Sequence, residues 1–183
     1  MNFPLAWRAS ETGTHLHLGC GNSRLPGFIN IDARASDSVD ISCDIRKLPY
    51  QNNSINTIYM CHSLEHLPLP EIQGFLKYIH GLLQNEGKFF ISVPDFNILA
   101  SIYLSKITSL ATIVRAIHGG QEYEGNTHYL SFDAEFLTGL LKGAGFRYIT
   151  DYKPSEFLPF GFTDTSTYEI AGKKISLNLV AIK

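Results

Sequence analysis

The chain has 183 residues, 44% of them hydrophobic and 17% charged. That is enough for one globular domain with its own core, and it excludes disordered, fibrous and disulfide-framed classes. Lys and Arg number 15 and Asp and Glu 17, for a net charge of −2 with no basic run, which argues against a nucleic-acid backbone as partner.

Cys20, Cys43 and Cys61 are widely spaced, with no C-x-x-C pair, and read as free thiols of a reducing compartment. Met1–Ser10 lacks a basic stretch followed by an apolar one, so no secretory signal is expected. The most apolar segment, Asn97–Ile117, is broken by Ser101, Ser105, Lys106, Thr108, Ser109 and Arg115, which makes it too polar to span a bilayer. A cytoplasmic protein with no membrane span is expected.

Strands and helices alternate along the chain. Thr14–Leu18 is a short β-leaning run ended by Gly19-Cys20-Gly21. Phe28–Ile31 is the second run and closes on Asp32. Val39–Cys43 is a weaker third, closing on Asp44. Ile55–Cys61 is the fourth, and Lys88–Val93 the fifth, stopped by Pro94. Their continuous apolar character suits strands covered on both faces. Between the fourth and fifth, Ile72, Phe75, Leu76, Ile79, Leu82 and Leu83 recur at helical spacing, with Pro70 in the first turn and Gly87 as the expected stop. A second helix is expected from about Asp133 to Lys142, capped by Ser131 or Asp133 and ended by Gly143 or Gly145. Phe146–Tyr152 and Ile175–Ile182 close the chain as strands. Alternation of this kind predicts an open, mostly parallel α/β sheet in one domain, residues 1–183. Its ligand would sit at the carboxyl ends of the strands.

The informative residues do fall there. Leu18-Gly19-Cys20-Gly21-Asn22 follows the first strand, where glycines let the backbone approach a ligand and turn its N–H groups toward it. Asp32 ends the second strand, where a carboxylate can take both hydroxyls of a ribose. Asp44 and Ile45 end the third, suited to an adenine amino group and ring. Each is ambiguous alone, but three successive strand ends make a pattern.

With these residues the sequence resembles the class I S-adenosylmethionine-dependent methyltransferases of the small, single-domain type. The resemblance continues through Ile29-Asn30-Ile31-Asp32, Asp44-Ile45-Arg46-Lys47-Leu48-Pro49, Ile55-Asn56-Thr57-Ile58-Tyr59 into Leu64-Glu65-His66-Leu67, and Asn85-Glu86-Gly87-Lys88 entering Phe89–Val93. It implies a Rossmann-like, seven-stranded, mostly parallel sheet with helices on both faces and an antiparallel last strand beside the fifth. It also implies S-adenosyl-L-methionine as cofactor. Gly19 and Gly21 would border the methionine part in a cofactor-binding turn shared with Cys20 and Asn22, Asp32 the ribose, Asp44 and Ile45 the adenine, and Cys61 and His62 the methionine end.

Two departures stand out. The family's usual acid two residues before the first glycine is replaced by His17. Only Gly19–Gly27 separates the first two strands, too few residues for a full crossover helix, so one sheet face needs cover from elsewhere. A rival reading comes from His62-Ser63-Leu64-Glu65-His66, which spells the H-x-x-E-H zinc motif of one metallopeptidase group. That chemistry needs a helix that Pro68 and Pro70 break, so no metal is expected. A nicotinamide-binding fingerprint fails because Arg24 stands where a third glycine belongs.

The acceptor side is expected from residues 97–130, as an insertion or lid. Its apolar first half, 97–117, reads as a helix that covers a sheet face or pairs two chains, and its Gly-punctuated second half as a functional loop. Methyl transfer needs proximity and, for a hydroxyl, a proton acceptor. His128, His66 and Asp95 are the candidates. The expected function is methyl transfer to a small-molecule acceptor, such as a sugar or surface-polysaccharide precursor. A non-catalytic S-adenosylmethionine-binding module of the same fold is the alternative.

Overall fold

The computed structural model describes residues 12–183 apart from Glu124; the leader reading of Met1–Ser10 lies outside them. Seven strands form the main sheet in the order β3-β2-β1-β4-β5-β9-β6. β1 (His15–Leu18), β2 (Ile29–Asp32), β3 (Ile41–Ser42), β4 (Ile55–Cys61) and β5 (Leu83–Pro94) run parallel. β9 (Ser176–Ile182) lies antiparallel between β5 and β6 (Tyr148–Asp151). This is the expected Rossmann-like sheet. From β1 the chain builds outward to β2 and β3, then returns to build β4 and β5 on the other side. The switch point therefore lies between β1 and β4.

One face is covered by helices. α1 (Leu69–Leu82) carries Ile72, Phe75, Leu76 and Ile79 into the core, and α4 (Ala134–Ala144) adds Leu137 and Leu141, against Leu16, Leu18, Ile58, Met60, Phe89 and Ile91 of the sheet. Asp133 caps α4 by accepting from the Phe136 amide at 2.8 Å, and Gly145 closes it at φ 110°. α1 ends differently from the expectation. The chain turns extended at Leu83 and enters β5 directly, so Gly87 lies within the strand. Packing of Leu82 and Leu83, both fully buried, fixes that boundary.

The other face has no helix between β1 and β2. Asn30 replaces one there: its side-chain oxygen accepts from the Leu25 amide at 2.8 Å, and its nitrogen donates to the carbonyls of Leu25 (3.2 Å) and Phe28 (2.9 Å). Cover comes from the C-terminal part of the chain, through the single-turn α5 (Pro154–Phe157). Phe157 stacks on Phe90 with ring centroids 3.9 Å apart and meets Tyr59, Tyr152 and Phe28 edge-on or tilted.

Segment 97–117 is two helices, α2 (Phe96–Leu104) and α3 (Leu110–His118). The polar turn around Ser105 and Lys106, where Lys106 takes φ 58°, breaks the single helix read from sequence. The pair packs through Leu99, Ile102 and Ile113 against Ile170 and Ile175. A two-stranded ribbon, β7 (Glu169–Ile170) with β8 (Lys173–Lys174), leads into β9. Among the described residues no helix is long and apolar enough to cross a membrane. The three cysteines are free.

Candidate functional site

An open cleft of about 1170 Å³ lies over the carboxyl ends of β1, β2 and β4, at the switch point. Gly19, Cys20, Gly21, Asn22, Asp32, Asp44, Ile45, Cys61 and His62 all line it, as do His66 and His128. Eleven of the twelve residues named from sequence thus share one cavity. Asp95 does not. Its carboxylate Oδ1 accepts from the amides of Asn97 (2.9 Å) and Ile98 (3.3 Å) as the N-cap of α2, which ties the side chain to that helix away from the cleft lining.

The glycine turn is built for close approach. Gly19 sits at φ 66°, and a Cβ there would lie 2.1 Å from Ser63 Oγ. Its amides are not turned toward a ligand, however. Gly19 and Cys20 donate to the Ile31 carbonyl at 2.8 and 3.1 Å, and Gly21 donates to Asp32 Oδ2 at 2.9 Å. Asp32 is thereby oriented, its other oxygen accepting from the Arg34 amide at 2.9 Å. A carboxylate offers about four acceptor positions, so two remain for ribose hydroxyls.

Asp44 is held more tightly than sequence suggested. Arg46 donates to both of its oxygens, at 2.7–3.0 Å, and extends Nη1 to Glu71 Oε2 at 2.8 Å. These hydrogen bonds hold the Asp44 carboxyl below the usual range. Burial pushes the Cys20 thiol up to about 11 and the Cys61 thiol well beyond that, so both cysteines are neutral packing groups.

The opposite wall is a histidine cluster over a buried acid. Leu64–His66 forms one 3₁₀ turn that ends before Pro68, not the α-helix a peptidase motif requires. His62 adopts φ 47°, and its Nε2 meets Ser176 Oγ at 2.8 Å. Glu65 is fully buried below, 3.6 Å from His62 Nδ1 and 3.9 Å from His128 Nε2. Desolvation raises the Glu65 carboxyl to about 8 and lowers His62 to about 3 and His128 to about 4. The three groups are therefore near-neutral neighbours, not an ion pair.

His128 is fixed on both sides. Its own amide donates to the His118 carbonyl at 3.1 Å, and the Tyr129 amide to the Glu65 carbonyl at 2.8 Å. The loop before it joins the cleft wall, where Arg34 lies over the Tyr123 ring at 4.1 Å.

Sequence reasoning missed two contributions. In the linear motif Glu65 has only the role of a peptidase base. Asp164 arrives from the C-terminal segment, accepts from Tyr59 Oη at 2.5 Å and from the Ser166 amide at 2.9 Å, and lines the cleft with His17. Its sequence surroundings, Gly161-Phe162-Thr163-Asp164-Thr165, look like an ordinary turn, and only the aromatic neighbours hinted that this loop returns to the sheet.

A family profile described as "Methyltransferase domain" matches residues 5–151. No curated protein sequence matches at a significant level. Solved structures share the fold at low identity. A Thermotoga maritima protein described as an S-adenosylmethionine-dependent methyltransferase, possible histamine N-methyltransferase, is 16% identical, with a TM-score of 0.57 over 94% of this chain and 83% of that one. The 1,6-didemethyltoxoflavin-N1-methyltransferase of Burkholderia thailandensis, solved with bound 1,6-didemethyltoxoflavin and S-adenosylhomocysteine, is 17% identical, with a TM-score of 0.57 over 93% of this chain and 70% of that one. A Methanosarcina mazei methyltransferase is 17% identical, with a TM-score of 0.55 over 94% and 92%.

Proposed function

The chain belongs to the S-adenosylmethionine-dependent methyltransferase domains, and on that premise we propose that it methylates a hydroxyl of a small-molecule acceptor held between the glycine turn and the His66–His128 wall. The observation that carries this reading is the two-sided cleft. One wall has the Gly19 cradle and the oriented Asp32 carboxylate, which fit the cofactor, and the other has imidazoles, which fit a polar acceptor. Sugars and their activated precursors are the acceptor class this wall suits best, since hydroxyls meet imidazole lone pairs as donors.

When bound, S-adenosylmethionine supplies an electrophilic methyl group on a sulfonium. This chain's residues supply the rest. Asp32 takes ribose hydroxyls, Asp44 with Ile45 takes the adenine, and Gly19 and Gly21 permit close backbone approach. Asp164 provides the negative charge that His17 lacks, near the place for the cofactor's ammonium. His66 and His128 line the side that receives the acceptor. Residues 97–130 form the acceptor side, with Arg115, Tyr123 and Asn126 on the rim.

Isothermal titration with S-adenosylmethionine and S-adenosylhomocysteine tests the cofactor half, with affinity expected near micromolar, about −8 kcal/mol. Methyl transfer from radiolabelled cofactor across a panel of hydroxylated and amine-bearing small molecules tests the acceptor half. Turnover confined to amines, or to macromolecules, would defeat the hydroxyl reading.

A further inference from the structure

The buried Glu65 carboxyl faces ring nitrogens of His62 and His128, at 3.6 and 3.9 Å, and the hydrogen bonds of these rings fix which nitrogens carry protons. Neither of its oxygens has a hydrogen-bond partner among the described residues, although the side chain is fully buried. His66 Nδ1 lies 3.0 Å from the Thr127 carbonyl oxygen, and His128 Nδ1 lies 3.2 Å from the Ala116 carbonyl oxygen. A carbonyl accepts and never donates. Each neutral ring therefore keeps its proton on Nδ1 and leaves a lone pair on Nε2.

The same deduction works for His62. Ser176 Oγ donates to the Thr165 carbonyl at 2.8 Å, so the 2.8 Å contact from His62 Nε2 to that hydroxyl must be a donation by the ring. His62 Nδ1, 3.6 Å from Glu65 Oε1, then also carries a lone pair. Imidazole lone pairs of His62 and His128 thus face a buried carboxyl with no hydrogen-bond partner among the described residues. The His66 and His128 rings cross at 78° with centroids 4.7 Å apart. One ligand atom from each of Glu65, His66 and His128 lies within 4.8 Å of the others. Donation of both Nδ1 protons to backbone carbonyls is how metal-bound histidines are held in orientation.

We propose that Glu65, His66 and His128 bind a divalent transition-metal ion, with His62 Nδ1 as a further ligand in reach. The mixed imidazole and carboxylate set suits zinc, cobalt, manganese or ferrous iron, whereas calcium and magnesium take oxygen ligands. The linear motif gives the opposite expectation because, as a peptidase motif, it requires two histidines on one helix with the glutamate as base. In the fold Glu65 sits where it would serve as a ligand, and His128 joins it from the segment whose Thr127 carbonyl, 61 residues along the chain, accepts from His66.

His66 and His128 line the cleft, so the ion would face the acceptor. Resting on the proposed function, its role is to bind the acceptor oxygen and lower the pKa of that hydroxyl. The hydroxyl proton leaves to solvent, the oxygen lone pair forms the new O–CH₃ bond, and the carbon–sulfur pair withdraws onto sulfur.

The test is titration of chelator-stripped protein with Co²⁺, followed by its visible ligand-field absorption, and with Zn²⁺ by calorimetry. About one ion per chain is expected. Glu65→Gln and His128→Ala, each checked for folding by circular dichroism, should lose roughly 10–100-fold in affinity. If one variant fails to fold, His66→Ala takes its place. No saturable binding, or equal binding by the folded variants, overturns the proposal and leaves Glu65 as a protonated buried acid. S-adenosylhomocysteine titrated into the same metal-free samples separates the two readings. Cofactor binding without metal binding removes the ion alone, and metal binding without cofactor binding removes the methyltransferase reading alone.

Discussion

His17 donates from Nδ1 to Asn30 Oδ1 at 3.0 Å, joining the residue that departs from the family pattern to the residue that replaces the missing first helix. Asn30 is 1% exposed and also serves Leu25, Phe28 and Asp40. Asn30→Ala would strand the Leu25 amide and the His17 ring inside the protein. We expect a loss of about 2–4 kcal/mol in unfolding free energy, read from chemical denaturation. A loss below about 0.5 kcal/mol, the range of neutral surface changes, would show that the crossover holds itself.

His17 also makes stability depend on pH. Burial lowers its pKa, against opposing contributions from Asn30, Asp164 and Asp32. A depressed folded pKa means that the neutral ring's contribution is complete above the unfolded value, about 6.5. It is lost as pH falls from there through the folded pKa. The wild type should lose stability in this window relative to His17→Gln by up to about 1.4 kcal/mol per pH unit. Parallel denaturation curves for the two proteins from pH 7.5 to 5.5, about one unit either side of the reference value, would remove His17 as a titrating group.

The two cofactor carboxylates should not weigh equally. Asp32 is nearly buried and has acceptor positions left over. Asp44 is half exposed and already clamped by Arg46. Asp32→Ala should weaken S-adenosylhomocysteine binding by about 1–3 kcal/mol, and Asp44→Ala by less. Calorimetry in which Asp44→Ala is the worse of the two would reverse the assignment of ribose and adenine.

If Asp164 supplies the missing negative charge, its neutral isostere should hurt the cofactor and spare the fold. Asp164→Asn keeps Oδ1 for the Ser166 amide and hydroxyl, and its amide nitrogen can donate to Tyr59 Oη in place of accepting from it. A loss of about tenfold in cofactor affinity is expected, the scale of one charge-assisted hydrogen bond. Unchanged affinity would leave the ammonium to backbone carbonyls alone.

The strands and the cofactor wall were legible because they depend on local patterns, whereas the place of the last strand came only with the family resemblance. Apolar runs ended by Gly19, Asp32 and Asp44 place those residues at strand tips whatever else the chain does. The second sheet face was not legible, since Phe157 reaches Phe90 and Phe28 across long sequence separations and α5 is one turn long. The end of α1 was misread for a related reason: burial of Leu82 and Leu83 outweighed the glycine signal at Gly87. Asp95 carried no mark in sequence to separate a helix cap from a cleft acid, since both uses follow a strand end. Nor did spacing distinguish Glu65 as a base from Glu65 as a ligand. That depends on which lone pairs face it, and therefore on carbonyls from Thr127 and Ala116 in a different segment.

His128 offers the sharpest test of the acceptor wall. Its side chain is only 9% exposed, yet it lines the cleft beside His66, and its backbone is tied to His118 while its neighbour Tyr129 is tied to Glu65. A ring held this way does not wait for a loop to close. It is positioned before the acceptor arrives, which favours the transition state without a cost of reorganisation. His128→Ala should therefore lower turnover by roughly 10²–10⁴-fold while cofactor affinity stays within about twofold. A structural role predicts something else. Removing the ring strands the Ala116 carbonyl that accepts from Nδ1, so the melting temperature would fall while turnover per folded molecule held. Measuring both quantities on one preparation separates the two outcomes, and full turnover in a folded His128→Ala protein would take His128 out of the reaction.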